Sequence, residues 1–138
     1  MDDLVGRDGI RYKKFSNVPF TGELEGRHQG SYENGLMEGS WVVYHVNGQL
    51  YSKSTYKNGL LEGLSKMYWS NGQLFKEGKY QNNKREGFWS FYWDNGQLMN
   101  KGNYKNGLSD GLWVGFFGDG SIDINFTGTF KDDVKISD

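Results

Sequence analysis

The sequence predicts an all-β fold, an elongated, twisted, single-layer array of antiparallel β-hairpins. Three observations carry this: a motif that recurs every 24 residues, two turn signals inside each recurrence, and a composition unsuited to helices. The 138 residues include 21 Gly, one Pro, no Ala and 17% aromatics. Glycine is roughly twice as common as usual, the best helix former is missing, and strand-favouring rings abound, which excludes a helical bundle.

The first marker reads Tyr32-Glu33-Asn34-Gly35-Leu36-Met37-Glu38-Gly39 and returns at Tyr56, Tyr80 and Tyr104. The second is Asn47-Gly48-Gln49-Leu50, repeated from Asn71 and Asn95 and worn to Asp119-Gly120-Ser121-Ile122. Asn-Gly between alternating apolar segments is the strongest short hairpin signal, because a type I′ turn needs positive φ at both central residues. The sequence therefore predicts two-residue loops at Asn47-Gly48 and its equivalents, and wider turns at the Tyr-x-Asn-Gly steps. The whole chain, 1–138, reads as one repeat domain. Residues 1–31, with Asp8-Gly9 and Phe20-Thr21-Gly22, form a decayed N-terminal cap, 32–122 the regular repeats, and 123–138 an irregular C-terminal cap with about two inserted residues before Phe130.

A two-residue loop at Asn47-Gly48 pairs 45 with 50, 43 with 52 and 41 with 54. Paired residues share a face. Face one then holds all five tryptophans, Trp41, Trp69, Trp89, Trp93 and Trp113, as structural residues, with Val43, Phe91 and the Leu50, Leu74, Leu98 column. Trp89 falls opposite Gly102 and Trp41 opposite Ser54, a large ring over a small partner. Ser65 opposite Gly78 lacks that ring, so a thin spot is expected there. Each buried Trp removes about 150 to 250 Å² from water, worth roughly 4 to 6 kcal/mol before entropy is subtracted. Face two receives Tyr44 opposite Tyr51, Tyr68 opposite Phe75, Tyr92 opposite Met99, and the charge pair Lys66 with Glu77.

At these residues the chain resembles the MORN-repeat family, in its short bacterial variant. The resemblance rests on the Tyr56, Gly59, Gly63 step, the Asn71-Gly72 turn and the return to Gly78 and Tyr80, and covers residues 32 to about 122. It implies an elongated hairpin array that serves protein attachment, scaffolding or phospholipid contact, and in many bacterial members an antitoxin-like role. Asn83 in place of the turn glycine, Ser65 in place of the face-one Trp, and Gly115 in the last strand depart from the pattern.

No catalytic site is expected. The acidic column Glu38, Glu62, Glu86, Asp110 places successive carboxylates two strands apart, about 9.5 to 10 Å. A retaining glycosidase pair needs about 5 to 5.5 Å and an inverting pair about 6.5 to 9.5 Å. The column instead suits carboxylates that accept backbone N–H groups in turns. His28 and His45 are isolated, Cys is absent, and no metal-spaced cluster, nucleophile order or phosphate loop occurs, so neither cofactor nor metal is expected.

The candidate binding residues are the aromatic stripe Tyr44, Tyr51, Tyr68, Phe75 and Tyr92, which suits a protein partner if it is exposed. The competing reading is cross-strand packing. The net charge of −1 disfavours nucleic acid and, with Lys53, Lys66 and Lys101 interleaved by Glu77, also disfavours a membrane surface. Glycan stacking and self-association through unpaired sheet edges are further alternatives. The chain reads as soluble, with its compartment open and export expected only if a leader once preceded Met1. The functional expectation is a non-enzymatic binding or scaffold module for another protein.

Overall fold

A computed structural model describes residues 4–7, 10–13, 21–24 and 26–138. The expected Asp8-Gly9 turn and Phe20 lie outside them. The strands are β1 (Leu4–Arg7), β2 (Ile10–Lys13), β3 (Gly22–Leu24), β4 (His28–Glu33), β5 (Leu36–Tyr44), β6 (Leu50–Lys57), β7 (Leu60–Leu61), β8 (Gly63–Tyr68), β9 (Leu74–Gln81), β10 (Lys84–Tyr92), β11 (Leu98–Lys105), β12 (Leu108–Gly115), β13 (Gly128–Lys131) and β14 (Val134–Ser137). Among the described residues β1 and β2 pair with each other, and the other 12 strands form one open antiparallel sheet in chain order from β3 to β14, with β7 beside β6. The array of hairpins expected from the repeat is present.

The two turn types are the reverse of the expectation. At the Tyr-x-Asn-Gly step Glu33 pairs with Leu36, Lys57 with Leu60 and Lys105 with Leu108, leaving two-residue loops. Their central residues both have positive φ, as at Asn58 (51°) and Gly59 (81°), which is the type I′ signature. Asn82-Asn83 and Asp132-Asp133 adopt the same conformation, since Asn and Asp tolerate the left-handed region.

At the Asn47-Gly48 step the loop has three residues instead. The His45 N–H donates to the Gln49 carbonyl (2.7 Å) and the Gly48 N–H to the His45 carbonyl (2.9 Å), with positive φ only at the glycine. This is a type I turn followed by a G1 bulge. Asn47 serves it through its side chain, whose Oδ1 accepts the Gln49 N–H at 2.9 Å.

A second register shift between Val43 and Tyr44 restores the expected pairing deeper in the strand, where Trp41 meets Ser54 and Val43 meets Ser52. Near the loop the expectation fails. Tyr44 pairs with Leu50 rather than Tyr51, Tyr68 with Leu74 rather than Phe75, and Tyr92 with Leu98 rather than Met99.

The tryptophans occupy two kinds of position along the hairpins. Trp41, Trp89 and Trp113 are buried on face one, and each ring covers a glycine of the preceding strand: Gly30, Gly78 and Gly102. A methyl group built on any of these glycines would overlap the indole. Each indole N–H donates to a carbonyl of that same strand, Ser31 (3.1 Å), Lys79 (3.0 Å) and Asn103 (3.0 Å). Thus Trp89 pairs with Gly102 in register, as expected, yet shields Gly78.

Trp69 and Trp93 stand beyond the register shift, at the bulged loops. Their indoles donate to the carbonyls of Tyr92 (3.0 Å) and Phe116 (3.1 Å) in the next repeat. Trp69 packs on Phe75 with ring centroids 4.2 Å apart, although the two-residue loop put these residues on opposite faces.

On face one the rings form an edge-to-face ladder, Tyr32–Trp41–Tyr56 and then Tyr80–Trp89–Tyr104–Trp113, with centroids 5.0 to 6.3 Å apart. It is interrupted at the position expected to be thin. There the Trp-on-Gly pair is replaced by Ser65 and Ser54, both buried, whose hydroxyls hydrogen-bond at 2.7 Å.

Candidate functional site

Hydrogen bonds between repeats account for most of the polar residues that recur. Glu38, Glu62 and Glu86 each accept, through Oε2, the backbone N–H of the first turn residue one repeat later: Asn58 (2.7 Å), Asn82 (2.7 Å) and Asn106 (2.9 Å). These carboxylates hold adjacent turns together, as the turn reading of the column requires. Asn47, Asn71 and Asn95 donate their side-chain amides to Ser70 (2.8 Å), Asp94 (2.7 Å) and Gly118 (3.1 Å) in the following loops. His45 takes the Trp69 position, its Nε2 2.9 Å from the Tyr68 carbonyl oxygen. The departure at Asn83 is compensated too, because its Oδ1 accepts the Leu61 N–H at 3.1 Å.

The aromatic stripe gathers near the bulged loops but is largely half-buried. Tyr51 is the one member with high exposure, and its ring stands edge-on to His45 at 4.8 Å. Phe75 packs beneath Trp69, with the Lys76 ammonium 5.4 Å from its centroid. Tyr68 lines a shallow concavity with Ser40, Lys53, Leu64 and Lys66. Tyr44 and Tyr92 are half-buried strand-end residues. Lys66 and Glu77 pair in register, 3.7 Å apart, and their exposure makes this a weak contribution to stability.

A different column is open on face two. Leu64, Phe88 and Leu112, spaced 24 residues apart, are 51%, 56% and 76% exposed. Each directly precedes the face-one position of its repeat, Ser65, Trp89 or Trp113, and alternation along the strand turns it outward. Between Leu64 and Phe88 lies a concavity of about 430 Å³, lined also by Glu77, Lys79, Glu86 and Ser90. Sequence reading centred on aromatic pairs passed over this column, although its 24-residue spacing was visible. It provides apolar anchors on a stiff sheet.

Residues 37–58, 61–82 and 85–106 match the family described as MORN repeat variant. Three consecutive repeats of the chain thus match the MORN model. Each matched MORN segment begins just after a tight turn and ends at the first residue of the next one, Asn58, Asn82 or Asn106, so each is one long strand pair around a bulged loop. No curated protein matches the chain. MORN repeats are commonly binding or scaffold modules and generally non-catalytic.

Proposed function

We propose that this chain is a non-enzymatic scaffold that binds another protein through face two, with residues 1–138 acting as one repeat domain whose ends cap the array. The observation that supports this is the column Leu64, Phe88, Leu112, whose exposed apolar groups are spaced by the repeat itself. Its members lie two strands apart, so three anchors span about 19 Å, a length suited to one segment of a partner lying across the strands. The turns and the face-one ladder keep the anchors at fixed spacing, which lowers the ordering cost of association. An antitoxin-like pairing is one form of such a scaffold.

The test uses the purified chain as bait for proteins encoded beside it, followed by titration of each purified candidate. Wild-type binding that falls at least about tenfold in Phe88→Ser and Leu64→Ser, with folding preserved, supports the proposal. Binding unaffected by both substitutions, or turnover of a substrate abolished by Glu62→Gln, refutes it.

A further inference from the structure

The adjacent strands β9 and β10 each carry a cation at a position where the equivalent residues of the other repeats carry none. Arg85 occupies the position held by Met37, Leu61 and Ser109, and Lys76 the position held by His28, Ser52 and Asn100. Both sit on face one, since Lys76 pairs with Phe91 and Arg85 with Tyr80. The guanidinium carbon of Arg85 lies 5.1 Å from the Trp89 ring centre, 5.4 Å from that of Phe91 and 5.4 Å from that of Tyr104. One Nη1–H donates to the Tyr104 hydroxyl at 3.3 Å, which fixes the plane of the fork.

Neither cation has an acidic partner among the described residues. The face-one positions of β8 to β12 hold no Asp or Glu. The ion pairs found among the described residues are Lys66–Glu77 and Lys135–Asp138. Lys76 bears the consequence: burial first, and the Arg85 charge second, hold its pKa below the usual lysine value. Two like charges are thus gathered beside aromatic rings that keep water away, a setting that strengthens attraction for an incoming anion.

We propose that Arg85 and Lys76 form a carboxylate-binding site that receives an acidic side chain of a protein partner. Arg85 presents its fixed fork for two parallel N–H···O bonds, and Lys76 adds a point charge from the neighbouring strand. The site rests on the protein-binding reading above and gives that partner its chemistry, an acidic segment reaching face one.

The experiment titrates the full chain with a fluorescein-labelled peptide of alternating Glu and Leu, and with the same peptide carrying Gln for Glu. The Glu peptide is expected to bind at least about tenfold more tightly, and Arg85→Met and Lys76→Met each to weaken it by about tenfold or more. Arg85→Lys should recover only part of the loss. Lys76→Met removes a half-buried ammonium next to Arg85 and should fold at least as stably as the wild type, so its loss of affinity reports on the site. Lys101→Met, on face two, serves as the unaffected control.

Equal binding of the two peptides, or full affinity in Lys76→Met, overturns the proposal. Displacement of the peptide by inorganic phosphate at equal concentration assigns the cations to phosphate and also overturns it. Capture of a protein partner through Phe88 without any preference for the Glu peptide removes this site and leaves the scaffold reading standing. Preference for the Glu peptide without such a partner does the opposite.

Discussion

Installing the missing tryptophan step should stabilise the sheet, but only as a pair of changes. Ser65→Trp with Ser54→Gly recreates the arrangement of Trp89 over Gly78 and Trp113 over Gly102. The new indole would meet the Thr55 carbonyl, the equivalent of the Ser31, Lys79 and Asn103 acceptors. Burying the ring gains roughly 4 to 6 kcal/mol at about 25 cal/mol per Å². Against this stand the lost Ser54–Ser65 hydrogen bond, about 1 kcal/mol, a strand glycine, about 1 kcal/mol, and ordering of the side chain, about 1 kcal/mol.

The net gain is about 2 kcal/mol. Each single change should instead destabilise. Ser65→Trp drives the ring into the Ser54 side chain, costing about 1 to 3 kcal/mol, and Ser54→Gly leaves the buried Ser65 hydroxyl unpaired, costing about 1 to 2 kcal/mol. Equilibrium urea unfolding of all four proteins, followed by circular dichroism, yields the coupling energy, expected to be at least about 3 kcal/mol in favour of the pair. A double variant no more stable than the sum of its singles would refute ring-over-glycine packing as the unit of this sheet.

Three further outcomes follow from the same contacts. Trp89→Ala, at the most buried large side chain (1% exposed), should cost about 3 to 5 kcal/mol in urea unfolding. Gly72→Ala should cost about 1 kcal/mol or more, because φ is +89° and a Cβ would press on the Gln49 side-chain oxygen; unchanged stability would reject the G1-bulge assignment. Burial, then the neighbouring Tyr80 and Tyr32, raise the Tyr56 pKa above the ordinary tyrosine value of about 10. Its stabilising share is therefore complete below about pH 10 and is lost as pH rises through the higher folded value, so Tyr56→Phe should flatten the alkaline limb of a stability–pH profile.

The array was legible because turn chemistry and periodicity agreed. Both Asn-Gly columns were visible, but the turn types could not be told apart by that dipeptide, since a type I turn with a G1 bulge also ends in glycine. Asn82-Asn83 was the available clue. A turn that accepts Asn in place of Gly still demands positive φ at both positions, and the Asn47-type loop never makes that substitution among its copies. Mistaking the loop by one residue misplaced the Leu50, Leu74 and Leu98 column, which shares a face with its partners Tyr44, Tyr68 and Tyr92, while Trp41 and Val43 kept their partners because the second shift near Tyr44 cancels the first.

The thin spot at Ser65 was legible, but its repair was not, because Ser54 lies in a different column, the one holding Gly30, Gly78 and Gly102. Gly115 likewise read as a defect. It is buried where Phe126 approaches, in a 3-10 turn (Ile124–Phe126) that takes up the C-terminal insertion. Such compensations depend on contacts between strands, which a single-column reading does not contain.

Hydroxyl-radical footprinting of the folded chain, with and without its purified protein partner, tests the two-faced sheet most directly. Leu64, Phe88 and Leu112 should oxidise readily in the free chain and become protected on binding, while Trp41, Trp89 and Trp113 stay protected throughout. Oxidation of Trp89 at the rate of Phe88 in the folded chain, or a bound partner that leaves all three face-two residues open, would contradict the account.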